Sequence, residues 1–420
     1  MTAKQRTLTA LVAVLLHVGA SLWLGQGAGM FEKFTSLMFE GADAREFRDV
    51  GNYLLGISDE LPRQSFELRP ILFPLYLVAL LQAGPQWFLL AQFTLLAAAI
   101  FLIAETLLWL FESRMVLALG LLLTFSSVTL LMAPYHAMSE TMSVFLISAF
   151  VFFYTRHIMG AGASATLILA TLMLALACIV KSIFLPFLTL FLLMHLPRFG
   201  ALGWRRCAPL LLVALLPIAA QLTVTAKVLG YPLISTSGSY NFSLRFFPLV
   251  YGMQEQGVAA HYASPLAAEA RSVHPEPRAQ LRYVLAHPAT TWNVSWRLWQ
   301  DNFERGEGFY AQDQADQLTP FQYAVYRASM RIDRVVMACH LLLVPLLAIH
   351  SLVHWRRRDG HYQLVLLSYV MCIFLSSVLV YFQGDRIVLV TLPVVAVLYP
   401  AFLLSLSKAS PAALRLRSGL

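Results

Sequence analysis

The feature that most constrains this chain is the recurrence of apolar runs long enough to cross a lipid bilayer. A tilted helix needs ~20 mostly apolar residues to traverse ~30 Å of hydrocarbon. Runs that reach or approach this length lie at 8–24, 86–111, 115–133, 138–156, 163–180, 183–196, 208–229, 334–353, 362–382 and 387–407. The shortest, 183–196, carries Pro186, and losing it would invert the topology of everything that follows. Only 12% of the residues are charged, against about 25% in an average soluble domain. That is too little charge to wet the surface of a globule of this size, so lipid must be part of the solvent. The expected fold class is an all-α membrane protein of about ten transmembrane helices. The first run follows Lys4 and Arg6 as a signal peptide's would, but it is longer than a usual apolar signal core and reads as a retained span.

Basic residues orient the bundle. With the N-terminus in the cytoplasm, the segments on that side hold Lys4, Arg6, Arg114, Arg156, Arg198, Arg205, Arg206, Arg356, Arg357, Arg358, Lys408, Arg415 and Arg417, against Glu112 and Asp359 alone among the acids. Every short loop on that side is basic, as the positive-inside rule requires. Both termini come out cytoplasmic, in an inner (plasma) membrane. Two long segments, 25–85 and 230–333, collect on the opposite face, and nearly all acidic residues with them. The domain reading follows: an N-terminal membrane module at 1–229 with the first outer loop at 25–85, a large outer loop at 230–333, and C-terminal membrane helices at 334–420. The net charge of +8 belongs to this topological pattern and does not point to nucleic acid. Cys178, Cys207, Cys339 and Cys372 lie in or beside spans without a C-x-x-C pair, which argues against disulfides and thiolate metal sites.

The first outer loop reads as structured. Residues 70–82 are apolar but short and proline-rich, which suggests a helix lying in the interface or packed on the bundle. Residues 43–55 read as a second short helix, with Phe47, Val50, Tyr53, Leu54 and Leu55 on a greasy side and Asp43, Glu46 and Asp49 on a polar one.

Five constellations could carry chemistry, and each has a plain structural alternative. Asp43 stands where a helix N-cap would. Arg69 precedes the apolar 70–82 stretch and could anchor it among lipid headgroups. Met138-Ser139-Glu140-Thr141-Met142 opens the fourth span, where Ser139 could cap and Glu140 complement the helix dipole. Lys181 ends the fifth span, where it could snorkel, and Gly384-Asp385-Arg386 could be a tight polar turn. Singly, each structural alternative is the better reading.

Taken together, their order resembles the GT-C superfamily of integral-membrane glycosyltransferases. It is most similar to the branch that uses polyprenyl-phosphate sugars, which includes the protein mannosyltransferases and the lipid A aminoarabinose transferases. The resemblance rests on Asp43 with Phe47, Gly51 and Leu54-Leu55; on Arg69 with the proline-containing stretch to Leu80; on Ser139-Glu140; on Lys181, where many members have Arg-Pro; and on Gly384 with Arg386, where Ile387 replaces a common Tyr. It covers most of residues 1–230 and the last forty, and not the loop at 230–333.

The resemblance implies an inverting transfer of a pentose or hexose from a polyprenyl-phosphate carrier to an acceptor hydroxyl on the outer, periplasmic face. Asp43 would be the general base, with Asp49 its rival. Arg69 and Arg386 would hold the phosphate with Lys181 behind them, and Glu140 and His136 would line the same cavity. Use of a divalent cation varies across the superfamily, and no ligand set in the sequence is diagnostic. The implied partners are the lipid-linked donor, membrane lipids, and a lipid, protein or glycan acceptor. The second outer loop would recognise the acceptor. Its aromatic residues equally suit an interfacial belt, and Trp292, Trp296 and Trp299 have the spacing of an amphipathic helix on the membrane. Asn241-Phe242-Ser243 and Asn293-Val294-Ser295 match the glycosylation sequon, read as chance matches. Two competing readings are a lipid-linked sugar flippase or transporter and an O-antigen ligase or polymerase. The first predicts mid-membrane polar residues, broken helices and mirrored halves, of which little is seen in the sequence; Glu105 is the one acid well inside a span. The second would concentrate its essential residues in the late loop.

Overall fold

A computed structural model of the chain describes residues 2–32, 34, 42–111, 114–125, 127–160, 163–201, 204–258, 264–304, 317–354, 358–377 and 389–406. Among the described residues every regular element is helical. Helix α1 spans Ala3–Gly27 and opens with a capping box, in which Thr2 and Gln5 satisfy each other's backbone N–H groups. The segment 25–85 contributes α2 (Ala42–Leu54), α3 (Arg63–Leu68) and α4 (Leu72–Ala83). The chain then runs through α5 (Pro85–Phe111), α6 (Arg114–Phe125), the short α7 (Val128–Met132) with a 3₁₀ turn at Ala133–Tyr135, α8 (Glu140–Ile158), α9 (Ala163–Cys178), α10 (Leu185–Ala201) and α11 (Trp204–Leu229). An outer layer follows, with α12 (Ser237–Asn241), a π-helical turn at Phe242–Phe246, α13 (Phe247–Glu255), α14 (Pro265–Val273), α15 (Pro277–Ala286) and α16 (Pro288–Glu304). Helices α17 (Pro320–Val353), α18 (Arg358–Ser377) and α19 (Leu392–Leu406) complete the bundle.

Each of the ten expected spans coincides with a helix, but fewer meet the length and hydropathy of an unbroken span. Among the described residues five helices do so, and two further pairs would if each bent pair counts as one span, which makes seven. The bends have local causes. Helix α17 bends by 41° between Pro320–His340 and Leu342–Val353, because Pro345 has no N–H to donate and its ring crowds the carbonyl one turn earlier, at position 341. The pair Met115–Phe125 and Val128–Tyr135 meets at 67°, where the Ser127 side chain accepts from Leu130 N and starts a new helix. The remaining expected spans are shorter apolar helices, at Ala165–Cys178, Ser182–Leu196 and Leu392–Leu403. Pro186 is tolerated because it lies in the first turn of α10, where a missing N–H costs nothing. Helix α17 begins at Pro320 and not at 334 as the hydropathy suggests, since a Thr319–Gln322 capping box initiates it well above the apolar stretch.

The bundle buries an apolar core, with Phe88, Tyr135, Phe150, Phe187 and Tyr369 among its fully enclosed rings. Its rim does the opposite. Leu15 and Leu16 on α1 and Leu212, Val213 and Leu216 on α11 are exposed. Exposed apolar residues of this kind on helices of span length suit contact with lipid. The outer layer has a small core of its own, built from Phe246, Phe247, Val250, Ala270, Val284 and Leu298.

Several contacts define one end of the bundle. Tyr135 donates to the Ser21 carbonyl at 3.1 Å and Gln322 Nε2 to the Trp23 carbonyl at 2.8 Å. The end of α1, the 3₁₀ turn and the start of α17 therefore meet there. Val50, Phe66, Ile71 and Leu229 form a separate apolar cluster that joins the first outer loop to the end of α11.

Candidate functional site

The site is assembled on the segment between α1 and α5. In α2 the residues Ala44, Phe47 and Val50 are buried, while Arg45, Arg48 and Asp49 face solvent. Gly51 lets this helix lie directly on α4, since a Cβ there would overlap the Pro74 carbonyl oxygen and the Val78 side chain. Phe47 then packs edge-on against Phe73, with ring centroids 4.9 Å apart. Asp43 lies in the first turn of α2 and not at the cap position, because the helix already runs from Ala42; the dipole still favours a carboxylate there.

Arg69 closes this arrangement. It follows α3 in an extended conformation at φ −108° and ψ 118°, as a residue before proline prefers. Its Nη2 donates to Asp43 Oδ1 and its Nε to Glu46 Oε2 at 2.6 Å, while the guanidinium sits 5.1 Å above the Phe47 ring. One planar cation thus bridges two carboxylates three residues apart on a single helix face. Side-chain exposures of 21% for Arg69, 22% for Asp43 and 31% for Glu46 leave the cluster partly open to solvent.

A second ion pair lies on segments that touch the first cluster's chain through the backbone. Lys181 Nζ lies 2.9 Å from Glu140 Oε1, and the Glu140 side chain is fully buried. Glu140 comes from the first turn of α8 and Lys181 from the turn after α9. The two pairs are joined through the backbone, because Leu72 N donates to the Ile179 carbonyl at 3.2 Å. Ile71 N also donates to Gln221 Oε1 on α11 at 2.9 Å. The segment after α11 is laced to the same strip of chain, with Ser235 and Ser237 both donating to the Leu68 carbonyl and Thr236 N donating to Glu67. Glu67 accepts in turn from Tyr231 and Arg63; that bond raises the Tyr231 phenol above its ordinary value and keeps it a neutral donor.

The structure therefore brings Asp43, Arg69, Glu140 and Lys181 to one end of the bundle. His136 is half-buried in the turn between the 3₁₀ segment and α8, three residues before Ser139. Ser139 is the cap residue of α8, yet its side chain makes no capping bond, so the structural alternative for it is not the one realised. Asp49 is not part of the cluster: it is half-exposed and lies 3.8 Å from Arg48. Gly384, Asp385 and Arg386 lie outside the described residues. Glu46 is the member that the sequence reading passed over. Its i, i+3 relation to Asp43 was the available signal, since that spacing places both carboxylates on one helix face. Gln221, the anchor of the loop from within α11, carried no sequence signal. Among the described residues no three His, Cys, Asp or Glu side chains converge as a metal-ligand set.

Comparison with family models, with curated proteins and with solved structures found no match for this chain.

Proposed function

We propose that this chain is an inverting glycosyltransferase that moves a pentose or hexose from a polyprenyl-phosphate carrier to an acceptor hydroxyl at the outer face of the membrane. One observation carries the reading: a guanidinium bridges two carboxylates on an apolar-anchored helix, and a backbone hydrogen bond joins that cluster to a second, lysine–glutamate pair. In this reading about ten helices cross an inner membrane, both termini are cytoplasmic, and the cluster sits at headgroup depth, where a lipid-borne sugar phosphate resides.

The chemistry needs two things at one place. The acceptor oxygen attacks the anomeric carbon, its proton passes to a carboxylate, and the bond from that carbon to the phosphate oxygen breaks with inversion. The departing phosphate gains negative charge, which a fixed cation must meet. Asp43 supplies the carboxylate. Arg69 supplies the cation, while its Nε and Nη2 hold Glu46 and Asp43. The Arg69 grip also aims the Asp43 carboxylate. Lys181 and Glu140 form the deeper wall against the sugar, and His136 flanks them. Arg386, before the last span, is the candidate for a second cation on the departing phosphate.

The test is a transfer assay with purified protein and a panel of polyprenyl-phosphate pentoses and hexoses, reading release of the lipid phosphate. Release from one donor that depends on Arg69 supports the reading. Membrane translocation of an intact donor, without release, would establish a transporter in its place.

A further inference from the structure

We infer that α16 is a membrane-surface anchor whose tryptophan stripe lies in the outer lipid leaflet beside α18 and sets the position of the outer layer above the bundle. This inference stands on surface geometry and does not depend on the transfer reaction.

Helix α16 has two unlike faces. Val294 and Leu298 are buried in the core of the outer layer. On the far side Trp292 is 67% exposed and Trp296 38% exposed. Exposure of this degree for two indoles, one turn apart, is costly in water and ordinary at the edge of a bilayer, where the ring is buried and the N–H meets the headgroups. The stripe is also continuous with the bundle. The Trp292 and Trp296 centroids are 6.4 Å apart, Trp296 and Trp299 follow at 6.1 Å, and Trp299 stands edge-on to Phe374 of α18 at 5.7 Å. Phe374 is one residue from Leu375, which is 64% exposed on a helix of span length. Phe374 itself is buried, so the stripe meets α18 beside its exposed apolar surface. Asn293 and Arg297 lie beside the stripe, where a polar edge would meet headgroups.

The placement has a mechanical consequence. The outer layer is tied at its other end to the segment that carries Arg69, through Ser235, Ser237 and Thr236. Lipid contact along α16 then fixes the second end of the layer, and its height over the Asp43–Arg69 cluster follows from the leaflet.

Single spin labels at positions 292, 293, 296 and 297 in the full chain, reconstituted in phosphatidylcholine–phosphatidylglycerol nanodiscs, test this. Labels at 292 and 296 should be shifted towards collision with oxygen, and those at 293 and 297 towards a water-soluble nickel chelate. Equal nickel access at all four positions would overturn the inference by placing the stripe in water. Loss of both kinds of collision at 292 and 296 would overturn it too, by showing that protein covers the stripe. Because a label at 292 or 296 replaces an indole, wild-type tryptophan quenching by brominated phosphatidylcholine should also fall in the Trp292→Phe/Trp296→Phe variant. No change in that quenching would count against the anchor.

Discussion

Replacing Lys181 with methionine should destabilise the folded bundle more than replacing both members of its pair. Glu140 is fully buried and its Oε1 lies 2.9 Å from Lys181 Nζ. At an effective dielectric near 20, unit charges at that separation attract by about 6 kcal/mol. Most of this offsets the cost of bringing two charges out of water, so the net worth of the pair is small. Lys181→Met removes the attraction and leaves the desolvated carboxylate, a change of about 3–5 kcal/mol. Glu140→Gln combined with Lys181→Met removes both charges and should recover much of that loss. Thermal unfolding of the purified protein in detergent, followed by the surviving monodisperse fraction, reads the series. The expected order is wild type above the double variant, with Lys181→Met lowest. If the double variant is no more stable than Lys181→Met, the pair is not coupled and the burial argument for Glu140 fails.

Four further outcomes follow from the same geometry. Gly51→Ala should lower thermal stability by about 1–3 kcal/mol through overpacking against Pro74, whereas Gly238→Ala, with nothing near its Cβ, should leave it unchanged. Phe66→Ala should loosen the join between the first outer loop and α11, at a cost of about 3 kcal/mol, seen as faster proteolysis of that loop. Arg69→Lys keeps the charge but cannot bridge two carboxylates and a phosphate at once, so transfer should drop with a raised donor KM. Asp49→Asn should transfer at close to the wild-type rate, because Asp49 points to solvent beside Arg48.

Much of the fold was legible because lipid makes the reading simple: where water is absent the backbone must pair with itself, and a long apolar run has one outcome. The helices at Ala42–Leu54 and Leu72–Ala83 were likewise visible from apolar spacing. Apolarity does not report where a helix ends. Helix α17 starts at Pro320 because a capping box starts it, and bends because of Pro345, neither of which alters hydropathy. Five helices, or seven with the bent pairs, have the length and apolarity of a span among the described residues, and runs such as 163–180 appear there as shorter apolar helices. In the site, Asp43, Arg69, Glu140 and Lys181 were singled out on motif order, and their convergence depends on contacts between distant segments. The Leu72–Ile179 hydrogen bond that joins the two ion pairs is a backbone contact, so no side chain announces it. Glu46 shares Arg69 with Asp43 and was hidden in plain view as one acid among several on an amphipathic helix.

The most direct test of the account is Asp43→Asn, assayed for sugar transfer and, separately, for binding of the polyprenyl-phosphate donor. Asparagine keeps the shape and an oxygen for Arg69 but cannot take up the acceptor proton. The account predicts an intact, donor-binding protein with transfer abolished. Transfer near the wild-type rate would contradict it, because no proton acceptor would then be needed at position 43.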